Sequence, residues 1–146
     1  MIEYDVVPHK GVGPISLGMS RDEVHAEFGK PEFASHDNRE GFHKGFLVDY
    51  NAAGRVEFIE LAKSQQFRAL FNGVCLHELL ADDAVAFVQR YGQYNENDPE
   101  LGHSYCFLDL QLSLWRPTIP AAGQSLNDDD GRYFHAVGIA EAGYFK

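Results

Sequence analysis

The sequence predicts an α+β fold in which two tandem helix-plus-antiparallel-strand repeats form one sheet with the helices packed on one face. Three observations carry that prediction. Ser20-Arg21-Asp22-Glu23 through Phe28-Gly29 writes the start and stop of a helix, residues 46–59 write a hairpin, and both kinds of signal recur in the second half. A chain of 146 residues with 45% hydrophobic residues suits a single domain that buries its core without metals or disulfides.

Ile2, Tyr4 and Val6 alternate with polar positions, so residues 2–7 predict a strand, and residues 8–13 a loop. Ile15 and Leu17 lead into a helix over residues 21–28. Ser20 can accept from the Glu23 amide while Glu23 reaches back to the Ser20 amide; Gly29 can take the left-handed cap, and Pro31 forbids continuation. Val24 and Phe28, four apart, face the core together. Residues 33–45 are polar and rich in turn formers. Phe46-Leu47-Val48-Asp49-Tyr50 and Arg55-Val56-Glu57-Phe58-Ile59 then flank Asn51-Ala52-Ala53-Gly54, a hairpin signature.

The second repeat, residues 71–146, follows the first, residues 1–70. Phe71-Asn72-Gly73-Val74 echoes Gly11-Val12, and a helix capped by Asp82 or Asp83 turns Val85, Val88 and Tyr91 inward and stops at Gly92. Cys106-Phe107-Leu108-Asp109-Leu110 aligns with residues 46–50, which places His103 where His43 stands. Arg132-Tyr133-Phe134-His135 is set against residues 55–58. Residues 117–131, with the run Asp128-Asp129-Asp130, form an inserted loop expected to be solvent-facing. Two helices and about six to eight hairpin-connected strands leave the second sheet face open.

Twenty-two acidic against twelve basic residues give a net charge of −10. Residues 1–72 carry eight basic and eleven acidic residues (−3), and residues 73–146 carry four and eleven (−7). Phosphate backbones and anionic membranes are repelled, so neither nucleic acid nor membrane is an expected partner, whereas a basic protein is steered towards the second half. The first residues lack a basic region followed by an apolar run, and no stretch has membrane-spanning length, which predicts a cytoplasmic protein with Cys75 and Cys106 reduced.

Gly18-Met19-Ser20-Arg21 with Glu23-Val24 and the Phe28-Gly29 stop resembles the repeat unit of β-lactamase-inhibitor-protein-like domains and of the small lipoprotein of the outer-membrane barrel assembly machinery. Together with Gly11-Val12-Gly13-Pro14-Ile15, Phe71-Asn72-Gly73-Val74, Ser113-Leu114-Trp115-Arg116-Pro117 and Gly143-Tyr144-Phe145, it is similar to a family of small bacterial proteins without an established activity. The resemblance implies helices against an antiparallel sheet and, through the inhibitors, a sheet face that binds protein. The disulfides of the inhibitors and the lipidated cysteine of the assembly lipoprotein have no counterpart in these residues.

Cys75-x-His77 and His103-x-x-Cys106 offer the ligand count of a structural zinc, in no recognised zinc spacing; Cys106 shares parity with the leucines, which predicts a core thiol. No nucleophile elbow occurs, and Asp128-Asp129-Asp130 lacks calcium-loop spacing. Neither a cofactor nor a metal is expected. His9, His25, His36 and His43 read as solvated surface groups.

If residues 106–115 form one strand, Phe107, Asp109, Gln111, Ser113 and Trp115 point away from the leucines. Aromatics interleaved with polar groups make a protein-binding face, which Tyr133 and His135 extend. The expected function is a non-catalytic protein-binding module using Phe107, Asp109, Gln111, Trp115, Tyr133 and His135, of the immunity or inhibitor kind. Two alternatives stand beside it: a small-molecule-binding or hydrolytic enzyme with His43 and His103 meeting in a cleft between the repeats, and a homodimer burying the same face.

Overall fold

Strands dominate, and they divide between two sheets where the sequence predicts one. The computed structural model describes residues 1–36, 38–120 and 131–146, so most of the inserted loop, including Asp128-Asp129-Asp130, lies outside the described residues. In chain order the elements are β1 (Ile2–Val7), β2 (Gly11–Val12), β3 (Ile15–Ser16), α1 (Arg21–Phe28), β4 (Phe33–Ala34), β5 (Arg39–Phe42), β6 (Phe46–Tyr50), β7 (Val56–Ala62), β8 (Phe67–Phe71) and β9 (Val74–Cys75). A 3-10 turn (Leu76–Glu78), α2 (Ala81–Gln89), β10 (Ser104–Phe107), β11 (Leu112–Trp115) and β12 (Ala136–Ala140) complete the fold.

The larger sheet is antiparallel, in the order β10-β11-β12-β7-β6-β5-β4. Its seam is β7 against β12, with Ile59 opposite Ile139 and Leu61 opposite Val137. The smaller sheet runs β3-β2-β1-β8-β9. Its central pair β1/β8 is parallel, Ile2 opposite Phe67 through Asp5 opposite Leu70, which departs from the all-antiparallel expectation. A parallel pair needs a long crossover, here α1 and everything between it and β8, so these strands cannot join the hairpin-connected meander. Before residue 63 three strands, α1 and the four-stranded β4–β7 meander follow one another; from residue 67 come two strands, the 3-10 turn, α2 and the three-stranded β10–β12 meander.

One buried cluster joins everything. Phe46, Val48, Ile59, Leu61, Leu112, Leu114, Val137 and Ile139 on the larger sheet meet Val6, Phe67 and Phe71 of the smaller one, with Val24 of α1 and Val85 and Val88 of α2. Phe46 is the hub: Tyr4 and Phe28 meet its ring edge-on at 5.7 and 4.9 Å. Full burial of the Phe46 ring contributes about 1.5–3 kcal/mol.

The first helix has the bounds the sequence predicts. The Glu23 amide donates to Ser20 Oγ (3.2 Å), the Ser20 amide donates to Glu23 Oε1 (3.0 Å), and Gly29 ends the helix at φ +77 and ψ −157, a region outside the left-handed helix and open to glycine alone. The second helix departs from expectation. Leu80 occupies its N-cap without a side-chain hydrogen bond, Asp82 and Asp83 lie inside the first turn, and the Ala81 amide is satisfied by the Arg132 carbonyl (2.8 Å). Acids there still favour the helix dipole. The Phe46–Tyr50 hairpin closes as expected, with Asn51 Oδ1 accepting from the Ala53 and Arg55 amides and Gly54 at φ +75.

Candidate functional site

The six residues predicted to form a binding face do not share one. Residues 106–115 are not one strand: a turn over residues 108–111, closed by the Leu110 amide on Phe107 O and the Gln111 amide on Leu108 O, separates β10 from β11. Gln111 sits at φ +50 in that turn. The turn resets the alternation, so Phe107 lies opposite Leu112 and both are fully buried. Phe107 is therefore core, and Gln111 is buried too. Its side chain accepts from the Phe145 amide and donates to the carbonyls of Phe145 and Leu108. Asp109 is exposed at the turn, a strand length from Trp115, with its carbonyl accepting from His9 Nε2 at 2.7 Å.

Trp115 and His135 do meet, and Tyr133 lines one cleft together with His135. Trp115 ends β11 with 43% of its surface exposed, and the exposed His135 ring meets it edge-on at 6.3 Å. The His135 amide donates to the Trp115 carbonyl (2.9 Å), although Tyr133 and His135 precede β12 and belong to no strand. A cleft of about 370 Å³ opens beside them, lined by Ala62, Lys63, Tyr133, Phe134 and His135. Lys63 Nζ stands 5.6 Å from the centre of the Tyr133 ring, a cation–π distance. Lys63 escaped sequence reasoning because it follows directly on β7, where only the β7/β12 pairing brings it to the turn before β12.

The rest of the outer face is partly covered. Gly138 at its centre has no room for a Cβ, which would stand 2.4 Å from Ser113 Oγ and 2.7 Å from the Phe58 ring. Tyr144 stacks on Phe58 at 5.1 Å with planes 6° apart, and Phe145 meets the same ring edge-on. Nearby, Arg39 grips both carboxylate oxygens of Asp49 at 2.6 and 3.0 Å.

Protein-family models, curated proteins and solved structures give no match to this chain.

The other candidate sets are not assembled. His43 and His103 lie at the same end of the larger sheet, but β11, β12 and β7 stand between their strands, a separation on the order of 20 Å by strand spacing. His103 instead pairs its Nδ1 with the Arg116 carbonyl (3.2 Å), and His43 meets the Phe28 ring. Cys75 and His77 belong to the smaller sheet and its 3-10 turn, Cys106 to an edge of the larger, and among the described residues no group of three His, Cys, Asp or Glu side chains could hold a metal. Burial, reinforced by Asp98, pushes the Cys106 thiol up to about 11; burial also raises Cys75. Neither thiol is poised as a thiolate nucleophile.

His25 is a partner of a buried carboxylate, where the sequence predicts a solvated group. Glu40 Oε1 accepts from Tyr50 Oη at 2.7 Å, His25 Nε2 lies 2.9 and 3.0 Å from the two carboxylate oxygens, and Arg21 reaches Oε2 at 3.2 Å. Burial acts to raise the Glu40 carboxyl, but the hydrogen bonds from Tyr50 and His25 with the Arg21 charge outweigh it and hold the group below its ordinary value. Arg21 also lies over the Tyr50 ring at 4.3 Å. This set clamps α1 to β5 and β6.

Proposed function

We propose that the protein is a non-catalytic binding module of the immunity or inhibitor kind, whose anchor is Trp115 with Tyr133 and His135. The observation that carries this reading is the exposure of Trp115, 43% open to solvent beside the His135 ring. A large amphipathic ring held on a strand end, with polar neighbours around it, is the composition of a binding anchor. The raised thiols of Cys75 and Cys106 and the separation of His43 from His103 weigh against the hydrolytic alternative. The net charge of −10 favours a basic partner by long-range attraction. A duplicated ancestor, supported by the strands–helix–meander sequence in both halves, would have its two meanders meet at the β7/β12 seam next to the anchor.

The test is capture from the source cell with the full chain as bait, followed by reconstitution from purified components. A basic protein that binds the wild-type chain, weakens with salt and is lost from Trp115→Ala and Tyr133→Ala is expected. Equal binding to Trp115→Ala overturns the reading. Phe107 is unsuitable as a probe, because its removal empties the core.

A further inference from the structure

We infer that residues 141–146 form a releasable strap over the outer face of the larger sheet, which lifts ahead of global unfolding and bares the Phe58 ring. The Glu141 amide donates to the Glu57 carbonyl at 2.9 Å, one residue beyond the Phe58–Ala140 pair that ends the β7/β12 ladder. The Tyr144 amide then donates to the Glu141 carbonyl at 3.1 Å, with Gly143 at φ +82, and this turn carries Tyr144 back over Phe58. Two hydrogen bonds with Gln111 tie the end of the segment to the sheet, while Ala142, Gly143, Tyr144 and Lys146 are exposed. A short segment held through one side chain and one stacked ring opens at a fraction of the free energy that unfolds the sheets.

Charge loads the strap outward. Glu141 extends the ladder opposite Glu57, and burial, then Glu141 and Asp49, push the Glu57 carboxyl up. Arg39, the cation of this region, is taken by both oxygens of Asp49 and by Glu60 at 3.4 Å. Among the described residues neither Glu57 nor Glu141 is in an ion pair, nor is Lys146 at the strap's end. The Tyr144 phenol is raised by burial, then by Asp49 and Glu57, so it stays neutral among the same acids. Like charges directly opposite each other on a ladder oppose its pairing. The Glu57 value is raised while the strap is down, so protonation favours the closed form and ionisation at neutral pH favours the open one.

Lifting the strap changes what the outer face offers. Phe58 is buried beneath Tyr144, and its ring adjoins Gly138, whose partner on β11 is Ser113. Ser113 and Trp115 share the outward side of β11. The open form therefore joins Trp115, Ser113, Gly138 and Phe58 in one stripe, where the closed form leaves the indole apart from the covered ring. The strap stands independently of the protein-binding reading; a partner anchored on Trp115 would gain the Phe58 surface only from the open form.

The test is hydrogen exchange of the full chain at neutral pH, read by NMR as protection of the Phe145 amide, with the Ile139 amide at the β7/β12 seam reporting global opening. Phenylalanine 145 is expected to be at least about 100-fold less protected than Ile139. Its protection should rise about two- to fivefold in Glu57→Gln, and by a similar factor in wild type when salt is raised from about 20 mM to about 500 mM. Tyr144→Ala should lower protection at Phe145 and leave Ile139 unchanged. Equal protection of Phe145 and Ile139, a parallel fall of both in Tyr144→Ala, or protection of Phe145 that is unchanged or lower in Glu57→Gln would overturn the inference. No partner enters the experiment, so its failure leaves the Trp115 reading untouched, and failure of protein capture leaves the strap untouched.

Discussion

Gln111 holds Phe145 by both of its backbone polar groups: the Phe145 amide donates to Gln111 Oε1 at 2.8 Å, and Gln111 Nε2 donates to the Phe145 carbonyl at 3.0 Å. This amide-to-backbone pairing fixes Tyr144 on Phe58 and so covers the middle of the outer face. Gln111→Ala should cost about 1 kcal/mol, because it leaves half-buried backbone groups of Phe145 and Leu108 without these hydrogen bonds. Hydrogen exchange at the Phe145 amide should rise far more than exchange in β12. Unchanged exchange at Phe145 would show that the stacking alone holds the segment.

Phe107 and Trp115 should respond in opposite ways to truncation. Phe107→Ala removes a fully buried ring and should cost about 3–5 kcal/mol, whereas Trp115→Ala should stay within about 1 kcal/mol of wild type. Denaturant unfolding of the two variants checks the contrast. Equal losses would mean that the indole is packed in solution.

Glu40 gives the stability a defined acid dependence. Its folded carboxyl is held below the ordinary value of 4.5. A group depressed on folding contributes fully above its unfolded value and loses that contribution as pH falls through the folded one. Glu40→Gln should therefore cost about 1–3 kcal/mol at neutral pH. The difference from wild type should shrink once pH falls through about 4.5. A difference that stays constant down to acid unfolding would remove Glu40 from the acid response.

His77 acts in the next pH range up. Burial holds its imidazole below the ordinary 6.5, with Nε2 2.8 Å from the Leu61 carbonyl. The unfolded chain takes up the proton first, so stability should decline as pH drops below about 6.5, and His77→Gln should flatten that decline. Unfolding curves at a series of pH values read it directly.

Ser20→Ala should cost about 1 kcal/mol by opening the capping box. The loss should appear as fraying of α1 by circular dichroism and as a lowered Tm.

What could be read in the sequence follows the range of the interactions involved. The capping box at Ser20 and Glu23 and the Asn51 turn are closed within four residues, and both formed where expected. The 108–111 turn contains no glycine or proline and uses Gln111 at φ +50, so alternation was carried straight through it and Phe107 came out on the wrong face. The strand β5 was hidden for another reason. Arg39 and Glu40 look like loop residues until Asp49 neutralises one and Tyr50, His25 and Arg21 surround the other, all partners beyond local reach. Of the anchor group, Trp115 was legible from its parity relative to Leu114, while Lys63 required knowledge of which strands pair.

The parallel joining of β1 to β8 and the antiparallel joining of β7 to β12 mean that each half supplies one strand to the seam of each sheet. Cutting the polypeptide at the exposed Gln65-Gln66 link should thus yield two fragments, each with raw strand edges and a bare apolar surface, neither of which folds alone. Mixed in equal amounts they should reassemble into the native form, with an affinity set by both seams together.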